Sequence, residues 1–310
     1  MARGNQLGLE PTSQTPAPQS VVNVIVVHYR SNGMLADLVG DLLDQAEVDV
    51  ALHVVECGDD GSVSNALREH DFAVARPGEN LGYSGGNNLK IREVMNSDAP
   101  ICLVNPDVRL PDRHTLQALH DALQTHPEMA AVAPSIRTED GNIEYTGSEV
   151  QLTRALVVHT GTHLPNWPPE VPALVRMSWI DGACWMLRAD ALRDVGVFDE
   201  DYFLFSEEVD WCLRARQQGW RVAVLRDVEI GHVRSSSFGT SSKGAYYAWR
   251  NTYLLCKKFK GRGIWFFFWA NNLLRFVAKR DHLRSGQAAA ALRGGLDAII
   301  GRTGRMRGDG

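Results

Sequence analysis

Short apolar runs alternating with amphipathic stretches constrain this chain more than any other feature. Val21 to Val27 is rich in β-branched residues, as expected of a strand buried on both faces. In the next segment Leu35, Leu38, Val39, Leu42 and Leu43 fall at helical spacing and form one stripe. Val50 to Val55 reads as a second strand, Phe72 to Ala75 as a weaker third and Ile101 to Val104 as a fourth. A helix with Leu116, Leu119 and Leu123 on one face follows, then a strand from Ala131 to Ile136 with Pro134 near its end. This order predicts an α/β fold with a mainly parallel central sheet and helices on both faces. Such sheets bind ligands at the carboxyl ends of their strands, where the loops gather.

The second half is less regular. Pro165, Pro168, Pro169 and Pro172 break regular structure, so residues 140–176 are expected to form a long loop or lid. Trp179 to Leu187 and Trp220 to Leu225 read as strands. They bracket a helix from about Glu207 to Gln218, ended by Gly219 and started by Ser206 as a good N-cap. Tyr246 to Lys258 is expected to be helical. Residues 1–20 are rich in Pro, Gln, Ser and Thr and predict a disordered tail. Residues 301–310, rich in Gly and Arg, predict a second one.

The formal net charge of −5 gives no case for nucleic-acid binding. From Lys257 onward, however, 12 Lys or Arg face 3 Asp or Glu, a basic end on an acidic body. That end is expected to meet something anionic. Ile264 to Ala270 is the most hydrophobic run in the chain. A helix continuing to Arg280 would set Asn271, Arg275 and Lys279 in one polar stripe, as interfacial helices do. Docking of this helix on the rest of the chain or on a second subunit is the alternative. The run is too short to span a bilayer, and no apolar stretch precedes Val21. Cys57, Cys102, Cys184, Cys212 and Cys256 are scattered and odd in number, which points to thiols and a cytoplasmic location.

Four segments could carry chemistry. Asn105-Pro106-Asp107 follows the fourth strand, where a carboxylate could hold a divalent cation against a diphosphate; such a tripeptide is also a common turn. The stretch Asn80 to Asn88, with Gly82, Gly85 and Gly86, leads into a helix whose free amides could meet phosphate, and it equally suits a plain glycine-rich turn. Glu207-Glu208-Val209-Asp210 could supply a general base. An acidic first turn also favours the helix dipole, and the apolar face of Val209, Cys212 and Leu213 needs no further purpose. His232 is a metal ligand only if the fold carries it to Asp107; a lone histidine is more often structural.

Read in order, these segments resemble the family 2 inverting glycosyltransferases, in particular their rhamnosyltransferase-like branch. The likeness runs from about Val22 to Lys258. Its most specific block is Asp181-Gly182-Ala183-Cys184-Trp185-Met186-Leu187-Arg188. It continues through Gly196-Val197-Phe198-Asp199-Glu200, Tyr202-Phe203-Leu204-Phe205 and the Arg250-Asn251 pair.

The resemblance implies a GT-A fold over residues 21–258; the basic, aromatic composition adds a helical extension at 259–300, membrane-interfacial or docked as above. It implies a nucleotide-diphosphate sugar donor and a Mg²⁺ or Mn²⁺ ion held by Asp107, with His232 as a second contact. The donor would be bound by His28, Tyr29, Glu56, Asn80, Gly82, Gly85, Gly86, Asn87, Asn105 and Asp181. The base would be Glu208, with Glu207 as understudy. Two departures from the family pattern stand out. A glutamate replaces the usual aspartate at the base, and Glu56-Cys57 replaces the usual Asp-Asn after the second strand.

The expected reaction is a single in-line displacement onto a hydroxyl of a glycan or lipid-linked glycan, with rhamnose as a family-level choice of sugar. A catalytically silent nucleotide-sugar binder is the rival that the glutamate permits. A nicotinamide oxidoreductase is disfavoured by the missing dinucleotide fingerprint.

Overall fold

A computed structural model describes residues 20–307, apart from 31–32, 59–62, 64–66, 68–71, 146, 152–155, 234–240 and 261–284. The tail at 1–19 and the aromatic run at 264–280 lie outside the described residues.

The centre of the fold is a mixed sheet in the order β3-β2-β1-β4-β10-β6-β11-β5, with β9 paired to β11. Strands β1 (Ser20–His28), β2 (Val48–Glu56), β3 (Val74–Ala75) and β4 (Ile101–Val104) run parallel. β10 (Cys184–Leu187) is inserted antiparallel between β4 and β6 (Met129–Arg137), which restores the common direction in β6 and its parallel neighbour β11 (Arg221–His232). Six strands therefore point one way. Among the described strands of this sheet, β10, β9 (Leu174–Met177) and β5 (Val108–Arg109) oppose them.

The predicted β-branched run is the core of β1: Val22, Val24, Ile25 and Val26 have no solvent exposure. Each such side chain contributes roughly 1.5–3 kcal/mol by burial. The stripe of Leu35, Leu38, Val39 and Leu42 is the buried face of α1 (Met34–Leu43). Helix α2 (Gly82–Val94) packs on β1 and β2, and α3 (Thr115–Thr125) on β6 and β11.

Between the two halves, Trp185 on β10 stacks on Phe198 and meets Trp211 edge-on, with both centroid distances 5.6 Å. Phe198 follows α4 (Ala189–Val195), and Trp211 lies in α5 (Glu207–Gln217). This aromatic contact fixes α5 against the sheet.

Three expectations are corrected. The proline-rich stretch 140–176 contains a hairpin of β7 (Gly147–Gln151) and β8 (Leu156–Thr160), and β9 joins the main sheet. The strand expected from Trp179 begins only at Cys184, because residues 181–183 form a turn. The Gly- and Arg-rich stretch at 301–307 is held by tertiary bonds. Gly304 N–H donates to the Asp201 carbonyl (2.7 Å) and Met306 N–H to the Tyr247 hydroxyl (2.8 Å). Those tertiary bonds offset the conformational entropy that composition alone leaves uncompensated.

Helix α6 (Ser242–Lys260) extends the predicted Tyr246–Lys258 helix at both ends, and α7 (Ser285–Ile299) packs along it. The two backbones nearly touch: a Cβ on Gly294 would lie 2.3 Å from the Tyr246 carbonyl oxygen. No helix among the described residues is long and apolar enough to cross a membrane.

Candidate active site

The common strand direction brings the ends of β1, β2, β4 and β11 to one edge of the sheet. His28 and Glu56 close β1 and β2 there, and Asn105-Pro106-Asp107 follows β4. The entry to β10 lies at the same edge, where Asn105 N–H donates to the Ala183 carbonyl (2.7 Å). Pairing of β5 with β11 sets His232 opposite Val108, so the residue just before that strand, Asp107, faces the imidazole. Asp107 Oδ1 and His232 Nε2 are 3.4 Å apart, and Val233 N–H donates to the Asp107 carbonyl (3.0 Å).

Burial pulls the His232 imidazole towards neutrality, but Asp107 and Asp181 outweigh it and raise its pKa. Its Nδ1 is buried without a hydrogen-bond partner among the described residues. A carboxylate oxygen and an imidazole nitrogen at this spacing suit two adjacent ligands of one ion, given metal–ligand distances of about 2.0–2.2 Å. The set is sparse, since no group of three or more His, Cys, Asp or Glu suited to a metal occurs among the described residues. The remaining positions would fall to diphosphate oxygens and water, as is usual for Mg²⁺.

The carboxylate pair stands at the start of α5. Glu207 is 3% exposed, whereas Glu208 keeps partial access. Burial, with the nearby charges of Asp181 and Asp210, pushes Glu207 up to about 7 against hydrogen bonds from backbone amides. Burial, the Glu207 charge and the Asp181 charge hold Glu208 well above the ordinary carboxylate range. The Asp181 charge thus contributes, after larger causes, to the raised pKa of both His232 and Glu208.

Ser206 does not serve as the expected side-chain cap. It takes a left-handed conformation (φ 73°), makes no side-chain cap bond, and its carbonyl accepts the Asp210 amide at 2.8 Å.

Asp181 sits in a braced turn. Its Oδ1 accepts the Ala183 amide (2.9 Å), and its own N–H donates to the Tyr145 hydroxyl (3.3 Å). The Tyr83 hydroxyl donates to the Gly182 carbonyl (2.7 Å) and accepts from the Trp185 indole (3.2 Å). Tyr145 and the bracing role of Tyr83 are absent from the sequence reading, because isolated tyrosines carry no local signal of a long-range hydrogen bond.

The glycine-rich stretch, which the sequence leaves open between a ligand-facing loop and a plain turn, packs closely on the segment before α5. Its amides already have partners: Gly82 N–H donates to Asn80 Oδ1 (2.9 Å), and Tyr83 and Ser84 N–H to the Phe203 carbonyl (2.9 and 3.4 Å). The glycines permit close packing instead. A Cβ on Gly82 (φ 69°) would fall 2.2 Å from the Phe203 oxygen, one on Gly85 3.1 Å from Leu81 Cβ, and one on Gly86 2.7 Å from Val27 Cγ1. Asn87 Nδ2 donates to the Tyr83 carbonyl within the helix.

A cavity of about 150 Å³ nevertheless opens beside this helix start, lined in part by Tyr29, Asn80, Gly82, Tyr83 and Lys243. Glu56 is buried at the end of β2. One of its oxygens accepts Arg76 Nε (2.8 Å), and the other has no hydrogen-bond partner among the described residues. A wider depression near Asp44, Arg113 and Asp227 contains none of the candidate residues.

A mainly parallel sheet of this order, with helices on both faces, is that of the GT-A fold. Solved structures share that fold. A mannosyltransferase of Pyrobaculum calidifontis in complex with GDP-Man and Mn²⁺ superposes with a TM-score of 0.56 at 13% identity, covering 90% of this chain and 86% of that one. GalNAc-T7 with UDP, GalNAc and Mn²⁺ gives 0.63 at 11% identity, covering 92% and 58%. At these identities the likeness is one of fold.

The family model described as glycosyltransferase like family 2 matches residues 18–246, and the chain belongs to that family. Among its relatives, N-acetylglucosaminyl-diphospho-decaprenol L-rhamnosyltransferase of Mycobacterium tuberculosis is 27% identical over 244 residues, 71% of this chain and 78% of the relative. Low-salt glycan biosynthesis hexosyltransferase Agl10 of Haloferax volcanii is 26% identical over 247 residues, 75% and 74%.

Proposed function

We propose that this glycosyltransferase moves a hexosyl or deoxyhexosyl group, with rhamnose the leading candidate, from a nucleoside diphosphate to a hydroxyl of a lipid-linked glycan. The names of its relatives support the sugar and the acceptor class. The observation that supports the chemistry is the contact of Asp107 with His232, 3.4 Å apart at the sheet edge where β4 and β11 end.

In this reading Glu208, the more accessible carboxylate, takes the proton of the acceptor hydroxyl. The freed oxygen bonds to the anomeric carbon, the bond from that carbon to the diphosphate oxygen breaks, and the nucleoside diphosphate leaves with the electron pair. Attack and departure on opposite faces invert the configuration. The raised Glu208 pKa makes the carboxylate a stronger proton acceptor than an exposed glutamate. Asp107 and His232 would hold Mg²⁺ or Mn²⁺, which when bound offsets the charge of the departing diphosphate. Asp181, fixed by Tyr145 and Ala183, lines the site between donor and acceptor. Glu56 and Tyr29 would face the nucleoside.

The catalytic unit in this reading is residues 21–258. Association of the basic, aromatic stretch beyond Lys260 with an anionic membrane surface belongs to the same reading. Flotation with anionic liposomes tests it, and a protein left in the soluble fraction at low salt removes it. The test of the activity is a panel of nucleotide sugars with Mn²⁺, assayed for nucleoside diphosphate released only when acceptor is present. Donor binding without such release from any acceptor would mark a silent binder.

A further inference from the structure

The backbone directly ahead of the carboxylate pair is strained. Phe203 (φ 65°), Phe205 (φ 67°) and Ser206 (φ 73°) all occupy the left-handed region. Side chains other than glycine rarely adopt it, bulky ones least of all. Such a conformation persists only where surrounding structure over-determines it. Nothing in the sequence of the segment favours it, so the restraint comes from elsewhere in the fold.

It comes from two fully buried residues on α6, Arg250 and Asn251. The two N–H groups of the Asn251 side-chain amide serve three carbonyls of the strained stretch within hydrogen-bond distance, Tyr202 (2.9 Å), Leu204 (2.7 Å) and Phe205 (2.7 Å), one N–H being shared. Arg250 Nη2 donates to the carbonyls of Tyr202 (2.7 Å) and Asp201 (3.2 Å). Its Nε donates to Asn251 Oδ1 (2.9 Å), which fixes the amide in turn.

The other side of the guanidinium is engaged by the end of the chain. Arg250 Nη1 donates to the Gly304 carbonyl, while Gly304 N–H donates to the Asp201 carbonyl (2.7 Å). Met306 joins Phe203, Tyr246 and Tyr247 in a small apolar cluster, and the Phe203 and Tyr247 rings stack at 5.3 Å. Residues 301–306 are themselves tied to α7, because Arg302 pairs with Asp297 (2.7 Å), whose other oxygen accepts the Tyr246 hydroxyl (2.8 Å).

We infer that Arg250 and Asn251 are positioning residues for the Glu207–Glu208 pair, and that the chain end through Met306 is the strut that holds them to that task. Without these donors the segment relaxes from the left-handed region, and Glu208 leaves its place beside Asp181. A general base acts only within hydrogen-bond reach of its proton, so a displacement of about 1 Å is enough to cost much of the rate. The consequence is that the far C-terminus, outside the family match, is part of the catalytic apparatus.

This inference rests on the transferase reading for its rate effect but not for its structural effect, and the test separates the two. Asn251→Ala and a chain ending at Arg302 are compared with the full chain by hydrogen exchange and by turnover. Affinity for UDP, GDP and TDP is measured with Mn²⁺ present. Exchange of the amides of residues 203–208 is expected to rise about tenfold or more in both variants, with β1 and β4 unchanged. Turnover is expected to fall about 10²-fold, while nucleotide affinity stays within about twofold.

Unchanged exchange at 203–208, or unchanged turnover despite faster exchange, overturns the inference. If Asn251→Ala unfolds the domain, the shortened chain, which leaves every buried side chain of α6 intact, decides the matter. If the full chain turns over no donor, the transferase reading falls and the exchange measurement alone decides the positioning.

Discussion

Asp107 Oδ1 stands 3.4 Å from His232 Nε2, although the two residues lie in different halves of the chain. The β5–β11 pairing makes the contact, and neither residue reaches the other without it. If the pair holds a divalent ion with the diphosphate, Asp107→Asn and His232→Ala remove most of the stabilisation that Mn²⁺ plus nucleoside diphosphate confers. A ligand at a hundred times its Kd stabilises by about 2.7 kcal/mol. The full chain should therefore show a Tm shift of several degrees that both variants lack. Equal shifts in a thermal melt would rule the pair out as the ion site.

Glu208 is the carboxylate of the pair that keeps solvent access, and Glu207 is enclosed. Glu208→Gln keeps the shape and removes the proton acceptor. Turnover is expected to fall by about 10²–10⁴, the usual contribution of a general base, with donor KM nearly unchanged. Glu207→Gln should cost less. A Glu208→Gln protein with near-normal turnover would show that the proton goes elsewhere.

The sheet is legible in the sequence because its signals are local. Val24 to Val26 and Ile101 to Val104 are apolar runs at the centre of the sheet, and burial leaves that mark on composition. Asp107 and His232 are legible through motif order, yet their meeting depends on strand pairing that no short window contains. The hairpin within 140–176 is hidden because β7 reads Gly-Ser-Glu-Val-Gln, with no apolar run, and the pair lies off the main sheet. The glycine stretch is ambiguous in sequence, because the same residue that bares a backbone to a ligand also lets helix α2 press against Val27 and Phe203. The left-handed turn at Phe203, Phe205 and Ser206 has no local signature at all, since its cause is Asn251 and Arg250.

Gly82 tests how closely α2 must approach the segment before α5. Its φ of 69° opposes any side chain, and so does the 2.2 Å that would separate a Cβ there from the Phe203 oxygen. Gly82→Ala is expected to cost about 1–3 kcal/mol, the range for a strained left-handed residue, and to lower turnover further by displacing Phe203. A melt and a turnover assay at a temperature where the variant stays folded separate the two effects. Wild-type values in both would mean that the segment yields freely.

The buried carboxylates give stability a definite dependence on pH. Burial first, then the charges of Asp181 and Asp210, lift Glu207 from an ordinary 4.5 to about 7. The folded state therefore holds a proton that the unfolded state has released across that interval. Linkage then makes stability fall as pH rises from about 4.5 to about 7, with the full penalty present above it. Glu208, also raised, adds to the slope in the same direction. Glu207→Gln removes one ionisation, so its Tm should decline less steeply between those limits and exceed that of the parent chain near pH 8. The difference is expected to reach the order of 1 kcal/mol, since a tenfold change in proton affinity is worth about 1.4 kcal/mol before relaxation of the site. Parallel Tm–pH curves for the two proteins would show that Glu207 ionises as easily in the folded chain as in water.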